Sequence, residues 1–393
     1  MVKRIKLGLI FNYNENWIGG TYYILNLIKL LNKLSVFKRP TIFVFYYCDT
    51  NLDVFKSLKY PDIKFVSIEE ELYSNSANIK INLVKKVLNF ISRRIICKNL
   101  FNNKSYLEVI DLIFPSDFNE IFRHSINQVY WIPDFQDRYL KNLFSQEELI
   151  DRKEWQSKIS RQKHIIFSSY DALNDFKSFF PESDSKCYVF NFVSLIEKIK
   201  YPKFDYLSKK YNIKNKKYFF VSNQFWQHKN HRVVFEAMRI LKEKETLNFN
   251  IYFSGNHQDY RNLNYFNELI ELIEKYNLTE DVYLLGFIDR IDQISFMKHS
   301  VGVIQPSLFE GWSTVIEDAK ALKKNIICSN LNVHFEQLGD LGFYFDPNNP
   351  EQLSRKMTEV INKNIVIIDY NYNNKIKEQS KNIYNIIFNI INS

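Results

Sequence analysis

Apolar and polar positions alternate between two periods from one end of the chain to the other. Short, nearly continuous apolar runs at Ile5–Phe11, Thr41–Tyr47, Ile63–Ile68, Val109–Phe114, Gln128–Ile132 and His164–Ser168 read as buried strands. Thr21–Leu34, Gln146–Lys163 and Tyr170–Phe180 between them carry apolar residues at helical spacing. The same alternation then restarts. Strands are predicted at Tyr218–Val221, Asn250–Ser254, Val282–Leu285, Val301–Ile304 and Ile326–Ser329, with helices near 230–244, 264–276, 289–299 and 315–323. Strand–helix alternation of this kind predicts an α/β chain with a parallel sheet wrapped by helices, once in each half. The lysine-rich stretch 196–217 reads as the linker between 1–195 and 218–370. A last helix near 375–391 puts Ile383, Ile386, Ile387 and Ile390 on one face, which sets 371–393 apart as a tail.

Composition narrows the class. The 393 residues are 46% hydrophobic and 25% charged, which suits two globular cores. No apolar run approaches ~20 residues, so no membrane span is predicted. The start at Met1 lacks the apolar stretch of a signal peptide, and Cys48, Cys97, Cys187 and Cys328 have no metal-like spacing, so a reducing cytoplasm is expected. The formal net charge is +9, and part of the excess is concentrated. From Leu72 to Leu107 there is no acid, while Lys80, Lys85, Lys86, Arg93, Arg94, Lys98 and Lys104 fall inside, beside Val84, Leu88, Ile91 and Ile95 at helical spacing. Such a helix either lies on an anionic membrane or packs its apolar side on a core and keeps a wet basic edge. Nucleic acid is not expected, because no recognition motif accompanies the charge.

Candidate chemistry gathers at the carboxyl ends of predicted strands, where open parallel sheets bind ligands. Val301–Ile304 is followed by Gln305-Pro306-Ser307, then Glu310-Gly311-Trp312-Ser313-Thr314. Thr314 stands three residues before Glu317, a capping-box spacing that opens a helix at about Val315. The free N–H groups of such a helix favour a phosphate, and Glu310 stands where it can hold a sugar hydroxyl beside it. Gly19 and Gly20 sit in a loop entering a helix, where bare N–H groups could meet a diphosphate or a positive φ could be needed. Gly255 and Gly286 directly follow strands. Asn223-Gln224-Phe225-Trp226-Gln227-His228-Lys229-Asn230-His231 follows the first strand of the second half. Asp134 and Asp137 end a strand of the first half, placed either for an acceptor hydroxyl or for salt bridges with Arg138 or Lys141; His124 lies upstream. No Asp-x-Asp run or other metal cluster is present, so no metal or cofactor is expected.

The 301–327 segment resembles the acidic signature of the family-four (group 1) retaining glycosyltransferases, in which Glu-Gly-aromatic leads into a helix with a second Glu eight residues after the first. Glu310 matches the first acid; the position eight residues on is Asp318, shorter by one methylene. The resemblance assigns Asp318 to the donor ribose and leaves Glu317 to the capping box. In the Asn223–His231 segment Lys229 matches the family's diphosphate lysine, while Gln224 stands where the family usually has Arg. The Gly-Gly loop at Gly19-Gly20 and a donor site across the cleft are also family features. The resemblance implies a GT-B architecture, two Rossmann-like domains facing across a cleft, with the tail 371–393 crossing back to the first. It implies transfer of a sugar from a nucleoside diphosphate to a hydroxyl of a glycan or lipid-linked acceptor, with retention, in surface polysaccharide synthesis, by a cytoplasmic protein peripheral to the membrane. The expected donor-side residues are Gly19, Gly20, Gln224, Lys229, Gly255, Glu310, Gly311, Trp312, Ser313, Thr314 and Asp318; Glu310, Lys229, Asp134 and Asp137 are the catalytic candidates. Two other readings remain open: a nucleotide-sugar 2-epimerase, which shares the architecture, and a non-catalytic sugar-binding subunit, which the departures at Gln224 and Asp318 favour.

Overall fold

A computed structural model describes residues 4–13, 18–47, 50–56, 58–69, 106–122, 127–196, 199–214, 216–362 and 368–393. The strands run, in chain order, β1 (Lys6–Phe11), β2 (Thr41–Tyr46), β3 (Ile63–Ser67), β4 (Leu112–Phe114), β5 (Asn127–Gln128), β6 (Tyr130–Ile132), β7 (His164–Phe167) and β8 (Lys186–Val189) in the first half. The second half holds β9 (Tyr218–Ser222), β10 (Asn250–Ser254), β11 (Val282–Leu284), β12 (Gly302–Gln305), β13 (Asn325–Ser329) and β14 (Phe343–Phe345). The second half is a parallel sheet in the order β11-β10-β9-β12-β13-β14. Its strands are buried along their whole length in β9, β10, β12 and β13, because helices cover both faces. In the first half β3-β2-β1-β4-β5 form one sheet and β6-β7-β8 another, again parallel. The run 127–132 hands over between them: Asn127 and Gln128 pair with β4, and Tyr130–Ile132 pair with β7.

The strand order reverses beside β1 and beside β9. Such switch points open a crevice at the carboxyl ends of the strands, and here the two crevices face each other. The last helix, Tyr372–Ile391, buries Ile383, Ile386, Ile387 and Ile390 in the same core as Leu7, Leu9, Leu27 and Leu31. Ser380 Oγ also donates to Leu30 O at 2.9 Å. The helix therefore leaves the second half and packs on the first.

Several local expectations differ from what forms. The stretch 196–217 contains a helix, Phe204–Lys210, seated by the fully buried Leu207. The edge strands β8 and β14 and the helices Asn332–Leu338 and Pro350–Asn362 form where the sequence pattern predicts no element. The first helix begins at Ile18, so Gly19 and Gly20 lie in its opening turn rather than in a loop before it. Asn16, Trp17, His124 and the basic stretch from Leu72 to Ser105 lie outside the described residues.

Candidate active site

The cleft between the halves has a volume of about 1250 Å³. Its floor is built from two loops of the second half. After β9 the chain makes a short 3-10 turn, Gln227–Lys229, and must then reverse into the helix His231–Glu243. Asn230 makes that reversal in the left-handed region (φ 56°), which Asn tolerates better than most residues. Its amide donates to Pro306 O (3.1 Å) and Pro347 O (2.8 Å), and Leu308 N donates to His228 O (2.8 Å). The Lys229 loop is thereby stitched to the loop after β12. The stitching brings Lys229 Nζ to 2.7 Å from Glu310 Oε1.

Glu310 Oε1 also accepts from Gln305 Nε2 (2.6 Å) and Ser307 Oγ (2.7 Å). Three donors thus converge on one oxygen, and Oε2 has no protein partner among the described residues. Burial pushes the Glu310 carboxyl up, but the Lys229 charge, its hydrogen bond and that of Ser307 outweigh it and hold the group below its ordinary range. His334 stands behind, its Nδ1 2.8 Å from Ser329 O, its Nε2 buried without a partner among the described residues, and burial lowers its pKa. The Glu310 charge works against that lowering.

Asp134 reaches the cleft from the first half, at the end of β6. Burial raises its carboxyl above the ordinary range, with the charges of Asp137 and Glu310 adding to the effect; the Gln136 N–H and Arg152 work against it. Gly311 fits directly against this strand end. A Cβ on Gly311 would come within 2.5 Å of Pro133 O and 2.8 Å of Asp134 Cβ, so the halves touch where the two acids approach. Asp137 faces elsewhere. It is buried, bound by Gln156 Nε2 at 2.9 and 3.1 Å, and it does not line the cleft.

The remaining candidates fall as follows. Gly19, Gly20, Gln224, Gly255, Gly311, Trp312, Ser313, Thr314 and Asp318 all line the cleft. Gln224 Oε1 accepts from Asn256 N at 2.7 Å, tying its loop to the one after β10. Gly255 allows that approach, since a Cβ there would meet Asn223 O at 2.0 Å. The helix after Gly311 starts at Thr314 with Ser313, not Thr314, as its cap: Ser313 Oγ accepts from Ile316 N. The capping-box reading of Thr314 and Glu317 is therefore corrected. Glu317 is fully buried, accepting from Lys320 Nζ (2.8 Å), Gln337 Nε2 (3.1 Å) and Tyr372 OH (2.9 Å). Ser313 N already donates to Gln337 Oε1, which leaves Thr314 N–H as the better-placed donor of that turn. Both oxygens of Asp318 are engaged. Arg290 grips them at 2.6 and 2.5 Å, and Ser194 Oγ donates to Oδ1.

Four groups described in the cleft are not among the candidates read from the sequence: Arg290, Arg261, Arg152 and His228. Arg261 stands in the loop at the carboxyl end of β10, the kind of position that predicts ligand contact, and so was the most accessible to sequence reasoning. Arg152 sits mid-helix, where an arginine reads as ordinary surface.

Two parallel-sheet halves that meet over such a cleft form the GT-B architecture of glycosyltransferases. Residues 203–383 match the family model described as glycosyl transferases group 1, and this part of the chain is a group 1 glycosyltransferase domain. Solved structures share the whole fold. Sucrose-phosphate synthase from Thermosynechococcus elongatus aligns with a TM-score of 0.63 at 12% identity, over 99% of this chain and 95% of the other. HepE of Anabaena, in complex with UDP and glucose, aligns with a TM-score of 0.62 at 15% identity, over 99% and 96%. A glycosyltransferase from Rickettsia africae aligns with a TM-score of 0.58 at 16% identity, over 99% and 93%. No curated protein matches the sequence.

Proposed function

We propose that this glycosyltransferase moves a sugar from a nucleoside diphosphate to a hydroxyl of a glycan or lipid-linked acceptor, with retention at the anomeric carbon. The observation that carries the reading is the Lys229–Glu310 couple at 2.7 Å on the floor of a cleft walled by both halves. Glu310 Oε2 is the atom left to hold donor-sugar hydroxyls. Lys229 stands beside it to meet the leaving diphosphate, where most negative charge develops. The Thr314 N–H and the first-turn N–H groups of Gly19 and Gly20 add donors without charge, and the proposed reaction uses no metal. Asp318 and Arg290 together take the ribose, one as acceptor and the other as donor. Asp134, with its raised pKa, faces the acceptor hydroxyl. Asp137 acts from behind, fixing Gln156 and the helix it belongs to.

HepE supports the choice of donor, since its structure holds UDP and glucose in the same fold. The seven bases of the 72–107 stretch support a peripheral membrane position and a role in surface polysaccharide synthesis. No helix among the described residues is long and apolar enough to cross a membrane.

The test is a thermal-shift screen across nucleoside-diphosphate sugars, in which a binder stabilises by RT ln(1 + [L]/Kd). Initial rates with the stabilising donor follow. Glu310→Gln is expected to keep the fold and lose turnover by roughly 10²-fold or more, as for removal of a preorganised charge at a reacting centre. A folded Glu310→Gln protein with wild-type rates removes the reading.

A further inference from the structure

Among the described residues, four cationic side chains line the cleft: Arg152, Lys229, Arg261 and Arg290. Three of them are already paired, Lys229 with Glu310 at 2.7 Å, Arg261 with Asp259 at 3.1 Å and Arg290 with Asp318 at 2.5 Å. Arg152 is exposed and meets no carboxylate within 4.0 Å among the described residues. It projects from the helix Gln146–Ile159 of the first half, its guanidinium 4.6 Å from the centre of the Phe144 ring. Arg261 reaches the same ring from the second half, at 5.4 Å.

The place is built rather than incidental. Arg261 is held by Asp259, by His228 Nδ1 at 3.2 Å and by the Trp226 ring at 5.0 Å. Its neighbour Tyr260 donates to Glu148 Oε1 at 3.0 Å, on the helix that carries Arg152, so the two elements are pinned side by side. Trp155, one turn beyond Arg152, lines the cleft and is 37% exposed, an open ring on which a sugar face can rest. Arg152 and Asp134 line the same cleft, and the Arg152 charge acts on the Asp134 carboxyl as it does on that of Glu148. A planar guanidinium with unfilled donors matches a phosphate or carboxylate, and a second one close by strengthens the match.

We propose that Arg152, backed by Arg261, forms an anion subsite on the acceptor side of the cleft, so that the acceptor carries a phosphate or carboxylate beside the hydroxyl that is glycosylated. The inference rests on the glycosyltransferase reading above. It adds the chemical class of the second substrate.

The purified full chain is titrated with glucose, glucose 6-phosphate, glucuronate, and a polyprenyl-diphosphate-linked glucose in detergent micelles, read by thermal shift and tryptophan fluorescence. UDP, GDP and dTDP are titrated separately to report on the donor side. The charged ligands are expected to bind and glucose is not. Preference for glucose 6-phosphate or glucuronate marks a soluble acceptor, and preference for the micelles a lipid-linked one. Arg152→Gln is expected to weaken anion binding about tenfold or more while nucleotide affinity stays within about twofold, and Arg152→Lys to retain part of it. Equal binding of glucose, unchanged anion binding in Arg152→Gln, or no anion bound by a chain that binds a nucleotide each overturns the subsite. A chain that binds anions through Arg152 but no nucleotide keeps the subsite and removes the donor reading instead.

Discussion

At the scale of single residues, Glu310 is defined by an asymmetry. One carboxylate oxygen takes three protein donors and the other takes none among the described residues. The three donors fix the acid in place and keep it ionised, against the pull of burial. That has a pH consequence with a definite sign. Because the folded carboxyl is held below its ordinary 4.5, the unfolded chain binds its proton first as pH falls. The stability it contributes is complete above the ordinary value and lost as pH drops through the lowered one. Wild type is therefore expected to lose more stability between pH 6 and 3 than Glu310→Gln does, a comparison of urea midpoints at each pH. Equal losses mean that the three donors do not stabilise the charge.

At the scale of elements, the helix Thr314–Ala321 carries two neighbouring acids with different fates. Glu317 points into the protein, where it joins Lys320, Gln337 and Tyr372; Asp318 points to the cleft edge and Arg290. Glu317→Ala leaves a buried lysine unpaired and is expected to cost about 3–5 kcal/mol of stability, by denaturant unfolding. Asp318→Ala is expected to weaken donor binding by about 1–3 kcal/mol with a smaller loss of stability. The opposite pattern would mean that the ribose acid is Glu317. Counting from Glu-Gly-aromatic points to Asp318, which is the one of the two acids that lines the cleft. The fate of Glu317 was not legible in the sequence: its partners come from Gln337 and Tyr372, distant in sequence, and a Thr three residues before a Glu suggested a cap that Ser313 supplies instead. Buried strands such as β9 and β12 announced themselves by unbroken apolar runs. The edge strands β8 and β14 did not, being short and only partly buried. Arg152 and Arg261 are brought together by the closure of the two halves, which no local pattern encodes.

At the scale of the whole molecule, the halves are latched as well as linked. Glu336 of the second half accepts from Tyr170 N (2.9 Å) and Asp171 N (3.2 Å), the opening turn of the helix Tyr170–Phe179, and from Asn191 Nδ2 (3.0 Å). A carboxylate at a helix N-terminus is favoured by its free N–H groups and by the helix dipole. Trp312 Nε1 donates across the same boundary to Phe192 O at 3.0 Å. Glu336→Ala is expected to let the halves separate, seen as a larger radius of gyration in solution scattering, with a fall in turnover and nearly normal binding of the isolated nucleotide. Unchanged scattering and turnover would show that the tail helix and Trp312 hold the closed form without it.

Gly311 has a consequence for anyone wishing to watch the enzyme pause. The first half rests its Pro133 carbonyl where any side chain at this position would begin. Gly311→Ala should act as a doorstop, leaving the donor's own loops intact and keeping the far wall from arriving. Nucleotide affinity is expected to stay close to wild type while turnover drops tenfold or more, roughly the effect of displacing a reacting group by an ångström. Such a protein would accumulate with its donor loaded and unspent, a snapshot of the first substrate waiting for the second.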